Sequence, residues 1–596
     1  MDETDLRRLI SNVKHGRLSR RGFIERMAAV GIAAPFANQI LSLSGVAMAA
    51  TPFTYKPTKR GGGGTLKLLW WQAPTLLNPH FATGTKDQDG SRIFYEPLAG
   101  WDAEGNLVPQ LAAEIPSLEN GGVAKDGKSV TWKLKQGVKW HDGQPFSADD
   151  VVFNWEYASN PATAAVTSGS YNYNKAIKVD DFTVRVEFNK PTPFWADPFV
   201  GALGMIIPKH IFAPFIGAKA HAAPANLKPV GTGPFKFKDF RPGEFVSAVI
   251  NTDYHEPNKP YFDALEMKGG GDATSAARAV LETGEYDYAW NLQVEWTVLT
   301  QLEKGGKGSI QLVSSANVEH IQLNNTDPNK TVDGERSSIK TKHPTLTDPA
   351  VRQALSLLID KAAVQKYIYG PEAVATPNYI NAPPRDYSKN THWEFNIAKA
   401  NAILDKAGYK KGSDGIRAKG GHKLKYVFQT SINGPRQKNQ EIVKQACAKA
   451  GIAIDIKAIP ASVFFSSDVA NPDTYPKFYA DLQMYTTGSN VPDPWQWMKS
   501  FVSTEAAQKS NNWEGRNITR WNNAEYDKVY AAAGAEMDPI KHTAMLIKLN
   551  DLVVDNVAVI PELHRQNVSA SAKNLVVHLS GWEDDMWDVA SWYRNA

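Results

Sequence analysis

The stretch 424–456 constrains the fold most. Leu424–Gln429 (LKYVFQ) reads as a strand, Arg436–Ala450 as a helix with Gly451 placed to end it, and Ile452–Ile456 (IAIDI) as the next strand. Strand, helix and strand in succession argue for a parallel βαβ unit, so this part of the chain is expected to be α/β in character. Asp348–Tyr367 adds a helix in the same half. Thr347 stands at its cap, and Val351, Ala354, Leu355, Leu358 and Ile359 form one apolar stripe.

The earlier part has a different texture. Ser129–Lys135 alternates, with Val130, Trp132 and Leu134 on one face and Thr131, Lys133 and Lys135 on the other; Phe182–Phe188 repeats the pattern. Period-two alternation marks half-buried antiparallel strands. Between them Ser147-Ala-Asp-Asp150 forms a capping-box start, with carboxylates at the positive end of the helix. Thr65–Trp71 (TLKLLWW) reads as a strand entering the core. A small α+β lobe and a separate α/β lobe are therefore expected, and 596 residues are too many for one ordinary core.

Residues 1–50 read as a leader. Ser19-Arg20-Arg21-Gly22-Phe23-Ile24 carries paired arginines, an apolar stretch runs from Met27 to Phe36, and Ala47-Met48-Ala49-Ala50 has the small residues of a cleavage site. That order is the grammar of a secretory signal, and the Arg20–Arg21 pair points to the twin-arginine route and the periplasm. A Pro/Gly tether, 51–64, follows. Seven Lys/Arg and four Asp/Glu fall in the first 50 residues, leaving 59 against 58 over the rest, so the body has no general attraction for nucleic acid. Cys447 is the one cysteine, in a helical stretch, and reads as a small buried apolar residue. No apolar run after the leader approaches the roughly 20 residues of a membrane helix.

Catalytic patterns are missing. There is no H-E-x-x-H, C-x-x-C, Walker loop or G-x-S-x-G. Ser337-Ser-Ile-Lys340 matches S-x-x-K but lies in the polar loop Glu335–His343, and His141-Asp142 reads as a turn. Triads assemble in space, so these absences do not exclude an enzyme.

Several segments, in order, resemble the extracellular solute-binding proteins of family 5, the receptors for oligopeptides, dipeptides, nickel and related solutes. They are Asn78-Pro79-His80; Tyr95-Glu96-Pro97-Leu98; the run from Trp132 to Val151 containing Trp140-His141-Asp142-Gly143; Gly231-Thr232-Gly233-Pro234-Phe235; Gly284-Glu285-Tyr286-Asp287; and Asp348-Pro349-x-Val351-Arg352. The resemblance implies an α/β, two-lobed periplasmic binding protein-like clamp (type II, cluster C-like) with an additional small α+β domain. It places 1–50 as the signal peptide, 51–95, 215–318 and 558–596 in domain I, 96–214 in domain II and 319–557 in domain III. It also implies a monomeric receptor that takes a small ligand, a peptide or peptide-like compound, to the membrane subunits of an ABC importer, with no cofactor, metal or catalytic residue.

By the same resemblance, Thr83, Gly84 and Thr85 border the cleft, and Trp290 and Asn291 lie at a strand edge facing it. The segment Tyr485-Thr486-Thr487-Gly488-Ser489-Asn490-Val491-Pro492-Asp493-Pro494-Trp495 is the most informative. In peptide-binding relatives it carries an aspartate that pairs with the ligand's α-ammonium. Here that position is Ser489 or Asn490. A buried ammonium without a carboxylate is costly, so either Asp493 takes the role or the ligand lacks a free α-amino group. Tyr485, Gly488 and Trp495 complete the expected site. An opine, oligosaccharide, modified peptide or metal chelate in the same cleft is the alternative ligand class, and an exported hydrolase the alternative activity.

Overall fold

The computed structural model describes residues 53–466 and 470–595, with a few isolated positions before them. The Arg20–Arg21 pair and the small residues 47–50 lie outside the described residues.

Two large mixed sheets organise the chain. The first has seven strands in the order Gly308–Val313, Asn567–Ala572, Tyr288–Ala289, Thr65–Leu69, Ala264–Lys268, Phe245–Ile250 and Phe235–Arg241. The expected strand after the tether is its centre, paired in parallel on both sides. The second has six, in the order Ala373–Ala375, Val559–Arg565, Val318–Leu323, Leu482–Thr487, Lys425–Ser431 and Ala453–Ile459. The chain passes between the sheets twice, through 314–317 and through Gln566. The strand Val559–Arg565 pairs with Val318–Leu323 and Ala373–Ala375, so the sheet-to-sheet crossing falls at Gln566 and not at the expected 557/558 division.

The strand–helix–strand unit forms as expected. Lys425–Ser431 and Ala453–Ile459 are parallel neighbours, and helix Gly434–Lys449 joins them, capped by the Asn433 side chain. Gly451, at φ +78°, donates to the Ala448 carbonyl and Ile452 to that of Cys447, a Schellman ending that needs a left-handed residue. Cys447 is buried, and burial pushes its thiol up to about 12.

The stripe expected over 348–367 is buried throughout, but the helix is not continuous. Pro349–Ser356 ends before residue 360, and Lys361–Val364 restarts under an Asp360 cap. A distant donor explains the break: the Asn396 amide takes the Leu357 carbonyl at 2.9 Å. Asp348, not Thr347, caps the first helix; the Thr347 hydroxyl donates to His343.

The small α+β region has its own three-stranded sheet, Ser129–Lys133, Thr183–Phe188 and Asn174–Asp180, and the helix Ala148–Ser159 with the expected capping box. It has no core of its own. Val130, Trp132, Val151 and Val186 belong to the same buried cluster as Leu66, Trp70 and Trp592 of the first large sheet. It is therefore packed as part of the first lobe.

The family-like motifs are structural. The His141 imidazole accepts from the Gly231 amide (3.1 Å) and lies 3.0 Å from the Gly233 carbonyl. A Cβ on Gly231 would fall 1.7 Å from the Phe94 carbonyl oxygen, so only glycine fits. Asp142 faces His210 at 2.7 Å, and Ser337 donates to the Phe478 carbonyl while Lys340 pairs with Asp333. Neither pair forms a nucleophile with its base.

Candidate ligand cleft

The candidate site lies at one end of the second sheet. Lys425–Ser431, Ala453–Ile459 and Leu482–Thr487 run parallel, so their carboxyl ends meet at the same edge, where ligands collect in open α/β sheets. Thr487 pairs with Val318, the first residue after the 314–317 crossing, so this edge is also the hinge edge.

On the first-lobe side, Trp290 lies flat on Trp70, with centroids 5.8 Å apart and planes at 4°, and Trp71 tilts against it at 6.5 Å. Trp290 is 7% exposed, so it backs the wall and presents little more than an edge. Its amide donates to Leu69. Asn291 sits at φ +52°, with its carbonyl accepting from Trp71 Nε1 (3.0 Å) and its side-chain oxygen from Gln293 (3.1 Å). Trp70 Nε1 donates to Asp89 (3.0 Å), which ties this stack to helix Thr85–Arg92. Gly84 begins that helix, its carbonyl accepting from Asp87 and Gln88, and Thr83 and Thr85 are exposed beside it.

On the second-lobe side the expected residues divide. A Cβ on Gly488 would stand 2.7 Å from the Ala316 backbone, so Gly488 lets the loop pack against the hinge. Asn490 is exposed; Ser489 is buried, with its hydroxyl donating to the Val491 carbonyl at 2.7 Å. Asp493 is committed: one carboxylate oxygen accepts from the Trp495 amide (2.9 Å) and the other lies 2.8 Å from His542 Nε2. Tyr485 points into the lobe, where its hydroxyl accepts from Gln322 and its ring packs against His320 and Phe464. Trp495 faces the other lobe as described below.

Residues that the motif reading did not reach complete this edge. Ile432 (53% exposed) and Phe465 (41% exposed) follow the strand ends as apolar side chains open to solvent. Beneath them lies a buried ionic group. Glu319 accepts from Arg436 Nε (2.8 Å), the Thr486 hydroxyl (2.7 Å) and the Tyr369 hydroxyl (3.2 Å), with Arg565 at 3.6 Å. Burial pushes the Glu319 carboxyl up, but the two guanidiniums outweigh it and hold it below its usual value. This group locks three strand ends beside the hinge. Its members are far apart in the chain, so no local signal announces it.

The lobes touch at two rims. At one, Asn433 donates to Gln293, Lys438 pairs with Glu295 at 2.7 Å, and Trp296 packs over Gly370. At the other, Phe194 stacks on Trp495 with centroids 4.7 Å apart and planes at 7°, and Gln496 approaches Asp197 at 3.4 Å. These contacts join the two lobes on both sides. Among the described residues no group of three side chains is arranged to hold a metal ion.

The comparisons with known proteins agree with this architecture. The model of the bacterial extracellular solute-binding proteins, family 5 Middle, matches residues 106–509. The oligopeptide-binding protein AppA of Bacillus subtilis (strain 168) is 26% identical over 544 residues, covering 89% of this chain and 92% of AppA. The glutathione-binding protein GsiB of Escherichia coli (strain K12) is 26% identical over 526 residues, covering 84% and 89%. The structure of B. subtilis AppA with a nonapeptide superposes with a TM-score of 0.75 at 23% identity, over 91% of this chain and 100% of that one. That of NikZ from Campylobacter jejuni with Ni(L-His) gives 0.74 at 23%, over 89% and 99%. With a family model spanning most of the chain and a two-lobed, twice-crossed fold beneath it, the protein belongs to the bacterial extracellular solute-binding proteins of family 5.

Proposed function

We propose that this chain captures a peptide or peptide-like solute between its lobes and presents the closed complex to the membrane subunits of an ABC importer. The observation that carries the reading is the pair of rims, which join two lobes linked by two chain crossings, with Trp290 on one lobe and the parallel strand ends on the other beside the hinge. Contacts made to both lobes at once favour the closed form over the open one, and only that difference drives closure. The protein acts as a monomer in the periplasm, reached by the twin-arginine route through Arg20 and Arg21. Domain I with the small domain forms one jaw and domain III the other.

The ligand class follows from charge. Ser489 and Asn490 are neutral, and Asp493 is held by His542 and the Trp495 amide. The second lobe thus offers no free carboxylate in this loop for a ligand ammonium, which favours solutes whose amine is blocked or absent. This supports a second reading in the same cleft, an opine, modified peptide or chelate, in line with the structural neighbour NikZ, solved with Ni(L-His). Exported hydrolysis has weaker support, because His141 and Ser337 are tied to backbone carbonyls and amides.

Mass spectrometry of solutes released on denaturing the purified protein, followed by thermal shift, tests the reading. N-acetylated and free-amine forms of one short peptide library are compared. The acetylated set is expected to raise the melting temperature at least as much. Stabilisation by free-amine peptides alone would overturn the ligand class, and a chain with no releasable solute and no stabilising compound would overturn the receptor role.

A further inference from the structure

The second rim is built differently from a ligand wall. Trp495 is held between two flat rings, Phe194 of the first lobe and Tyr530 of its own, at 4.7 and 4.8 Å with planes at 7° and 12°. Its indole N–H donates to the Tyr530 carbonyl at 2.9 Å, and His542 meets Phe194 edge-on at 5.5 Å. Three residues along from Phe194, Asp197 faces the same junction. Its carboxylate accepts from the Tyr173 hydroxyl of its own lobe (3.2 Å) and from Gln496 across the gap (3.4 Å).

We propose that this rim is a proton-coupled latch: closure clamps Trp495 against Phe194 and seats Asp197 against Gln496 beside Asp493, so the closed form takes up a proton that the open form releases. The proposal rests on the clamp reading given above.

The charge inventory supports it. The groups facing Asp197 are Tyr173 on its own lobe and Asp493, Gln496 and Tyr530 across the gap, with His542, Asp386 and Arg385 behind them. Among the described residues, no cation pairs with Asp197. His542 is bound to Asp493 and to the Ala533 carbonyl, and Arg385 to Asp386 (3.5 Å) and the Pro492 carbonyl. Burial first, and the neighbouring Asp493 second, push the Asp197 carboxyl up to about 7, although it is only half-buried and solvent tempers that rise. In the open form it faces water and titrates in the ordinary aspartate range. A carboxyl raised in the closed form favours closure most at low pH, and the preference is lost as pH rises toward the closed-form value. His542, whose burial lowers it but whose bond to Asp493 raises it on balance, keeps that bond within its own lobe and so does not distinguish the two forms.

Single-molecule energy transfer between dyes at Lys219→Cys and Lys406→Cys, one on each lobe and both exposed, reads the closed fraction without any ligand. Cys447 is buried and stays unlabelled. From pH 4.5 to 7 the closed-to-open ratio is expected to fall by up to about tenfold per unit and to level off above 7. Asp197→Asn, checked for an unchanged melting temperature, is expected to flatten the profile near its low-pH value, and Trp495→Ala to open the chain at every pH. A profile identical in wild type and Asp197→Asn, or flat in both, overturns the latch alone; lobes that never separate in any variant overturn the clamp beneath it.

Discussion

The two lobes bury charge in opposite ways. Beside the hinge, the second lobe sets Glu319 between two arginines, Arg436 and Arg565, so its carboxylate is compensated by fixed cations. The first lobe packs Asp89, Glu583, Asp584 and Asp585 close to one another, and Arg92 bonds Glu583 at 2.8 Å and reaches Asp584 at 3.7 Å. One arginine lies within reach of two of these four carboxyls, so the group is under-compensated by fixed cations. Burial drives Glu583 up to about 7 and Asp584 and Asp585 up to about 6, and Asp89 also rises well above its usual range. Compensation by guanidinium is indifferent to pH near neutrality, whereas compensation by protons is not.

Breaking the first kind of site has the largest expected effect. Glu319→Ala leaves two buried guanidiniums facing each other and is expected to cost about 3–5 kcal/mol in denaturant unfolding. A smaller loss, near that of a surface pair, would mean that water already screens the cluster. The second kind of site is sharpened by pH. Carboxyls with raised native values stabilise the fold below the ordinary carboxylate range and lose that contribution as pH rises through about 6–7, so the melting temperature should fall between pH 5 and 8. Asp584→Asn removes one of these protons and is expected to make the protein more stable than wild type at pH 8 by about 1–3 kcal/mol, with little change at pH 5. Glu319, held below its usual value, has the opposite sign, and its contribution is lost only as pH falls through the acidic range. The smallest effect belongs to an exposed pair, Lys438 with Glu295 across the first rim. Lys438→Ala should shift the balance between open and closed forms by less than about 1 kcal/mol, and high salt should erase the difference.

The same contrast explains what was legible in the sequence. The strand–helix–strand at 424–456 and the Ser147 capping box are written in neighbouring residues, and both formed where the pattern placed them. The break after Ser356 was not legible, because it is made by an amide forty residues away, that of Asn396. The boundary at 557/558 missed by one strand, since nothing local separates Val559–Arg565 from the strand that follows Gln566. In the cleft, motif order pointed to Trp290 and to the loop 485–495, but the uses of Tyr485, Asp493 and Trp495 depend on Gln322, His542 and Phe194, partners remote in sequence. The Arg92–Glu583 pair joins residues 491 positions apart. Ile432 and Phe465 carried no motif at all, and their exposure at the strand ends singles them out.

Small-angle scattering on the purified chain, before and after removal of its solute by unfolding and refolding, addresses the clamp most directly. Two jaws on a hinge at 314–317 and Gln566 should give a larger radius of gyration when stripped, and return to the compact value when the released solute is added back. Identical scattering in all three samples would contradict the account.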